Sequence, residues 1–455
     1  MKPELKEQIR HNLAAWIITG VGTLTVFGAF ALWIGRELPN AAGIAAAACS
    51  CVLFVLGCAQ FVPKWIGFWK NRTDMLPNDA EPKHALLGIA ALAAAVEALL
   101  FGLVTLALSV RDGNAFTFRG AIEFWRCLDS GHYLDITREW YISDGDWGRV
   151  VQLVFLPGYP LAVYPLYRIL GSDVAAGLLV SAAAFPAACC ALYRLLRLDH
   201  DHRRALRAVV WLLMLPGGFF FIAPMSESLY LLLALLTLLC FRKKRYLLAG
   251  LFGAYCAFTR SVGLLLVAPL VLEWIHAFPK PHCGRKKWLL GIFSVLLVPA
   301  GFAAYLWINR TVSGNPLQFL VYQRDHWSQR LGWFFNTASY QTSYLFDCIR
   351  EGNRENIFGL WLPNVIWHFG TLGLFACAAK KLRPSYAAWF IGYFAIAIGA
   401  TWLLSGPRYL LSMPVVAVML AAVTEKRWQK IAAAAVLVPL SVLYLLAFVW
   451  RWQVW

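Results

Sequence analysis

The sequence predicts an all-α bundle of membrane-spanning helices, and three observations carry that prediction. Of its 455 residues, 60% are hydrophobic and only 14% charged, where a soluble chain of this length carries about a quarter charged residues. Apolar stretches of roughly 18–25 residues recur from end to end, long enough to cross a hydrocarbon core of about 30 Å as helices. Lipid offers no water to unpaired backbone groups, so each stretch has to satisfy its own hydrogen bonds by becoming helical.

Charge placement then orders the elements. The formal net charge of +17 suggests a nucleic-acid partner at first sight. The basic residues, however, sit in short loops between apolar runs, the pattern of cytoplasmic loops facing anionic headgroups, so nucleic-acid binding is set aside. The 21 Trp and 17 Tyr suit interfacial belts at helix ends. The 11 Cys fall mostly inside apolar runs, without zinc-ligand spacing or a disulfide framework, and read as packing residues. No small-residue cleavage site follows the charged start, so the first helix is expected to be retained.

Lys2, Lys6 and Arg10 place the N-terminus in the cytoplasm. Spans are expected at 14–34, 41–62 and 85–109, with Lys64, Lys70, Arg72 and Lys83 inside between the last two. Residues 111–149 then fall outside. The next apolar stretch is interrupted by Pro157, Pro160 and Pro165; each removes a helix hydrogen bond, so a broken or interfacial segment is expected. Further spans are expected at 172–196, 205–222, 227–241, 288–308, 359–379, 385–404, 408–424 and 431–450, with two short pieces, 246–258 and 262–276, meeting at Thr259-Arg260-Ser261. Lys280, Arg285, Lys286, Lys287, Lys380, Lys381 and Arg383 are read as inside. The count is about thirteen crossings, N-terminus in and C-terminus out. The chain divides into two added helices (1–84), a core (85–308) with an outer loop at 110–150, a second outer region (309–357) and C-terminal spans (358–455).

That topology gathers the polar residues outside. Asp129, His132, Asp135, Arg138 and Glu139 crowd the first outer loop, among Trp125, Tyr133, Trp140 and Tyr141. A helix from Ser130 onward makes Asp129 an N-cap and Asp135 and Glu139 an i, i+4 pair. A solvated, self-paired helix beside the membrane is the alternative, less favoured reading of this pattern. Glu227 sits at the mouth of a span, where a carboxylate is costly without a partner or a task. Arg260 lies between two half-helices and Arg408 opens another span; either alone reads as an arginine snorkelling to headgroups. Together they offer carboxylates for acid–base work and guanidinium forks for phosphate. Asp199-His200-Asp201-His202 imitates a metal site but reads as a solvated turn, and Asp144-Gly145-Asp146 as an outer turn. No phosphate-binding glycine loop is present, so nucleotide use is not indicated.

Five stretches in order carry a family resemblance: FWRCLDSGHYLDITREWY, FLPGYPLAVYPLYRIL, the run from FFFIAPMSESLY to VAPLVLE, PLQFLVYQRDHWSQR and SGPRYLL. The chain resembles the PIG-V-type mannosyltransferases of the GT-C class of polytopic glycosyltransferases over most of residues 121–424. It departs from that pattern at Ser261, where proline is expected, and at Arg126, where an acid is expected after tryptophan. The resemblance implies a GT-C-type bundle and a polyprenyl- or dolichyl-phosphate-linked mannose donor. It also implies a non-cytoplasmic site, inversion at the anomeric carbon, and no metal or other cofactor. Carried onto this chain, it implies Asp129 and Glu227 as catalytic carboxylates and Arg260 and Arg408 on the donor phosphate, with His132, Tyr133, Gln323 and Trp327 lining the substrate. The acceptor is left open between a lipid-linked, glycan or protein hydroxyl, and membrane lipids are expected partners. The ends of the chain lack retention signals, so a bacterial plasma membrane is expected. A lipid-linked sugar flippase predicts polar groups in mid-helix and repeated halves. A non-catalytic cell-envelope scaffold predicts site residues that tolerate substitution.

Overall fold

The computed structural model describes residues 3–71, 79–113, 115, 117–277 and 284–455. Of the charges used to place loops inside, Lys2, Arg72 and Lys280 lie outside the described residues. Three long helices come first: α1 (Pro3–Glu37), α2 (Ala41–Asn71) and α3 (Ala85–Asp112). Short elements follow, α4 (Phe118–Phe124), α5 (Ser130–Glu139), α6 (Trp147–Val150) with a 3-10 turn at Val151–Val154, and α7 (Gly158–Leu170). The core is built by α8 (Asp173–Leu196), α9 (His202–Met214), α10 (Glu227–Arg242), α11 (Tyr246–Thr259), α12 (Val267–Ala277) and α13 (Arg285–Ser313). Next come α14 (Gln318–Trp327), α15 (Phe334–Glu351), α16 (Arg354–Asn356) and a π-helical turn at Ile357–Trp361. The chain closes with α17 (Leu362–Ala378), α18 (Pro384–Ala397), α19 (Gly406–Leu411), α20 (Val415–Val423) and α21 (Arg427–Val449).

Among the described residues, 7 helices are long and apolar enough to cross a membrane, which makes the chain a multi-pass membrane bundle. The proline-rich stretch breaks as expected: the helices on either side of it, Trp147–Val154 and Gly158–Leu170, meet at 117°. Pro157 caps the second piece and Pro165 lies inside it.

Burial is concentrated on α10, where nearly every residue from Glu227 to Phe241 is buried against α8 and α11. Small residues let helices approach where lipid supplies no hydrophobic drive. At Gly301 of α13 an added methyl would stand 1.9 Å from the Ala254 carbonyl oxygen of α11, so the two backbones touch only because that side chain is absent. α2 is tied to the bundle by polar contacts, Ser50 Oγ to His368 Nε2 at 2.8 Å and Gln60 Nε2 donating to the Ala376 carbonyl at 2.5 Å. Such contacts form where water does not compete.

Two expected spans are interrupted. α18 stops at Ala397 rather than running on to 404. The Gly332 N–H donates to the Gly399 carbonyl (2.7 Å) and the Thr401 N–H to the Arg330 carbonyl (2.8 Å), bonds that pull 399–401 out of a helix. The stretch 408–424 is split into α19 and α20, with Pro414 at the N-cap of the second. The segment 199–202 is a turn, as expected, but only partly solvated: Asp201 is exposed and caps α9, whereas Asp199 is half-buried and takes both terminal nitrogens of Arg242 at 2.6 Å. Burial first, and Arg204 next, push the neighbouring His200 down to about 4.

Candidate active site

Four chain segments deliver the site. The turn before α5 is pinned by Ser130, whose Oγ accepts from the Cys127 N–H (2.7 Å) and donates to the Trp125 carbonyl (2.8 Å). This sets Asp129 at the N-cap position, but its carboxylate makes no capping bond. It turns instead to Arg408, 2.5 Å away. Glu227 is the first residue of α10, where the positive end of the helix dipole favours a carboxylate. α11 ends on Arg260, which is extended before a 3-10 turn at Ser261–Leu266. α19 carries Arg408 and Tyr409.

These groups form one chain of alternating charge. Arg260 Nη1 donates to Glu227 Oε1, and Arg408 Nε lies 2.8 Å from the same oxygen. Arg408 Nη2 then pairs with Asp129 Oδ2. Glu227 is fully buried and the two arginines nearly so, so removing any of these three would strand a charge away from water; the Asp129 carboxylate is only half-buried, at the cavity. Arg260 lies over the Tyr409 ring at 5.0 Å and the Tyr230 ring at 5.8 Å, and the Tyr133 hydroxyl reaches Ser226 Oγ at 2.9 Å.

The pairing is incomplete. Glu227 Oε2 and the Tyr230 hydroxyl are buried without a hydrogen-bond partner. Arg408 Nε, although close to Glu227, is not aligned to donate to it. Buried polar groups are normally satisfied; of these three residues Glu227 and Tyr230 are wholly buried, and Arg408 lines a cavity.

The chain lies along a cavity of about 490 Å³. Asp129, His132, Tyr133, Arg260, Arg408, Gln323 and Trp327, separately singled out in the sequence, all line it; Glu227 lies beneath, between the two arginines. His132 stacks on Phe155 at 4.6 Å. Burial pushes its imidazole below the ordinary histidine range, with Asp129 and Asp135 opposing. Among the described residues, no three His, Cys, Asp or Glu side chains are grouped to hold a metal ion.

A second network holds α5 in place. Arg126 forks onto Asp173 at the start of α8 (2.9 and 2.6 Å), and Arg138 Nε approaches the same carboxylate at 3.3 Å. Arg138 also pairs with Asp135, as a self-paired helix requires, and Arg149 with Glu139 at 2.9 Å. Asp129 takes no part in this pairing.

Sequence reading missed His326, Trp402, Tyr409 and Trp455, which also line the cavity. Tyr409 follows Arg408 directly, and His326 adjoins Trp327, so both were within reach. Backbone strain gathers here too. Of eight described non-glycine residues with positive φ, Leu128, Ser328 and Trp402 line this one cavity, and such strain collects at functional sites.

No family model and no curated protein matches the chain. Among solved structures, it is similar to the crystal structure of the Archaeoglobus fulgidus oligosaccharyltransferase tethered to an acceptor peptide, with 15% identity and a TM-score of 0.40. The match covers 82% of this chain and 55% of that one, so the chain spans about half the length of the structure it matches.

Proposed function

We propose that this cavity transfers a sugar, mannose on the family resemblance, from a polyprenyl- or dolichyl-phosphate-linked donor to an acceptor hydroxyl on the non-cytoplasmic side, with inversion and without a metal. One observation carries the reading: two guanidiniums and two carboxylates are joined in a buried chain that opens on a cavity in a membrane bundle. The acceptor oxygen attacks the anomeric carbon and gives its proton to Asp129. The bond from that carbon to the phosphate oxygen breaks, and its electron pair leaves with the lipid phosphate. Arg260 and Arg408 meet the charge that grows there. The leaving group is already a weak base, so one carboxylate suffices where glycoside hydrolysis uses two.

The Asp129–Arg408 pair gives this mechanism an order. While Asp129 Oδ2 is held on the Arg408 guanidinium, it is engaged there and not turned to an acceptor hydroxyl. A donor phosphate competes for the same fork, and on binding it releases Asp129 to accept a proton. Asp129→Asn therefore lowers transfer steeply, while its neutral amide no longer competes as an anion with phosphate for the Arg408 fork. The test measures transfer from labelled polyprenyl-phosphate mannose by the purified protein, alongside binding of farnesyl phosphate. The expected result is loss of transfer with farnesyl phosphate bound as tightly as by wild type or more so. Unimpaired transfer removes Asp129 from the reaction, and no binding of farnesyl phosphate to wild type removes the donor class.

A further inference from the structure

Part of the cavity lining has a different chemistry from the charge chain. Gln323, Trp327 and Gln329 come from α14 and the turn after it, Trp402 from the irregular segment after α18, and Trp455 from beyond α21. All are neutral. Two of the indoles are presented to the cavity by backbone built for that purpose.

Trp402 has φ +54, a conformation that a bulky side chain adopts only when its surroundings impose it. Its ring stacks on Tyr340 at 5.9 Å and lies 5.5 Å from Tyr344 and 6.1 Å from Trp361, yet it keeps 36% of its surface exposed. Trp455 is delivered by a strap, residues 450–455. The chain reverses at Arg451 (φ +55), whose guanidinium lies 5.8 Å over the Phe124 ring, and the Trp452 N–H donates to the Ala447 carbonyl at 3.0 Å. The strap then runs across Gly359, where an added methyl would stand 2.9 Å from the Gln453 nitrogen. Val454 is 2% exposed and Trp455 43%, so the anchor is buried and the Trp455 ring is offered. Gly359 and Trp361 belong to the same π-helical turn, a feature that recurs at functional sites. That one turn therefore carries the strap and braces Trp402.

We propose that Trp402 and Trp455 form an acceptor subsite that stacks the C–H face of a neutral sugar ring, with the amides of Gln323 and Gln329 serving its hydroxyls. This rests on the transferase reading above and names its acceptor class. An exposed indole offers a flat apolar face and one N–H, and neutral amides both donate and accept. This combination fits a polyol ring. The subsite lies in the same cavity as Asp129, which then meets a hydroxyl of the stacked sugar.

The experiment uses the full chain in lipid nanodiscs with methyl α-mannoside and methyl β-glucoside as probes, read by saturation-transfer NMR, and farnesyl phosphate binding as a separate measurement. Trp455→Ala and Trp402→Ala are expected to cut saturation transfer to the sugar ring protons at least fivefold, Trp455→Phe to retain most of it, and all three to bind farnesyl phosphate as wild type does. If Trp402→Ala fails to fold, Trp455→Ala decides alone. Equal saturation in wild type and Trp455→Ala, or none in wild type with either glycoside, overturns the subsite. Loss of farnesyl phosphate binding by wild type strikes at the transferase reading instead and leaves the sugar result standing.

Discussion

α10 carries a four-charge cluster at each end, about 22 Å apart by helix rise, and the two have the same inventory. At its first residue Glu227 joins Asp129, Arg260 and Arg408. Near its last, Arg242 joins Asp199, Glu273 and Arg383. In the second cluster Arg383 forks onto Glu273 at 2.5 and 2.8 Å, Ser385 donates to that carboxylate at 2.5 Å, and Arg242 also donates to the Tyr386 hydroxyl at 2.8 Å. None of its four charged side chains has an orphaned buried atom. The first cluster has three such atoms at or beside it and opens on a cavity. Buried charge by itself therefore does not mark a site; the first cluster is set apart by the open space beside it. One cluster fastens four segments of chain, and the other opens on the cavity to which we assign transfer.

Substitution separates the two functions. Asp129→Asn is expected to lower transfer by about 10²–10⁴-fold, the range of a lost general base, with little change in melting temperature, because a near-isosteric amide keeps contact with Arg408. Glu273→Gln is expected to do the reverse. Removing one partner from a buried pair costs about 3–5 kcal/mol, so the melting temperature and yield fall, while transfer per folded molecule is retained. Melting curves and specific activity on the same preparations check both, and a stability loss at Asp129 matching that at Glu273 would erase the distinction between the clusters.

Arg408→Lys gives a smaller effect. Lysine keeps the charge but cannot bridge Asp129 and Glu227 as one planar fork. The apparent KM for the lipid-phosphate donor is expected to rise about tenfold, the order of one charge-assisted hydrogen bond, with expression near that of wild type. An unchanged donor KM would place the phosphate elsewhere.

The sequence carried the helical class and most of the helix positions, because a long apolar run in lipid has one solution. It also made the site residues legible one by one, since a carboxylate or guanidinium at a span end needs a reason. It did not show that Glu227 bridges both arginines, which depends on how α10, α11 and α19 pack. Trp402 was read as part of a continuous span, and the cross-chain hydrogen bonds that unwind 399–401 have no local signature. Asp199 was misread for a related reason: a polar, Arg-flanked tetrapeptide looks solvated until Arg242 and Arg383 arrive from distant helices. The two clusters of α10 are thus equally visible as charges in the sequence and are distinguished only by packing.

His132 offers the finest test of the difference, because it lies at the cavity and burial shifts its titration. Burial lowers its pKa in the folded chain, against the opposing pull of Asp129 and Asp135. A histidine so depressed binds more protons unfolded than folded between the two pKa values. Its contribution to stability is therefore present above the ordinary value of about 6.5 and is lost as pH falls through the folded one. His132→Gln is expected to flatten this acid-side loss, so that the drop in melting temperature between pH 7 and pH 5 is smaller than in wild type. The same substitution leaves the cluster of Arg242 and Glu273 untouched. Identical pH dependence in the two proteins would mean that His132 is solvated and charged like a surface histidine, and that the wall around Asp129 is wetter than its packing on Phe155 implies.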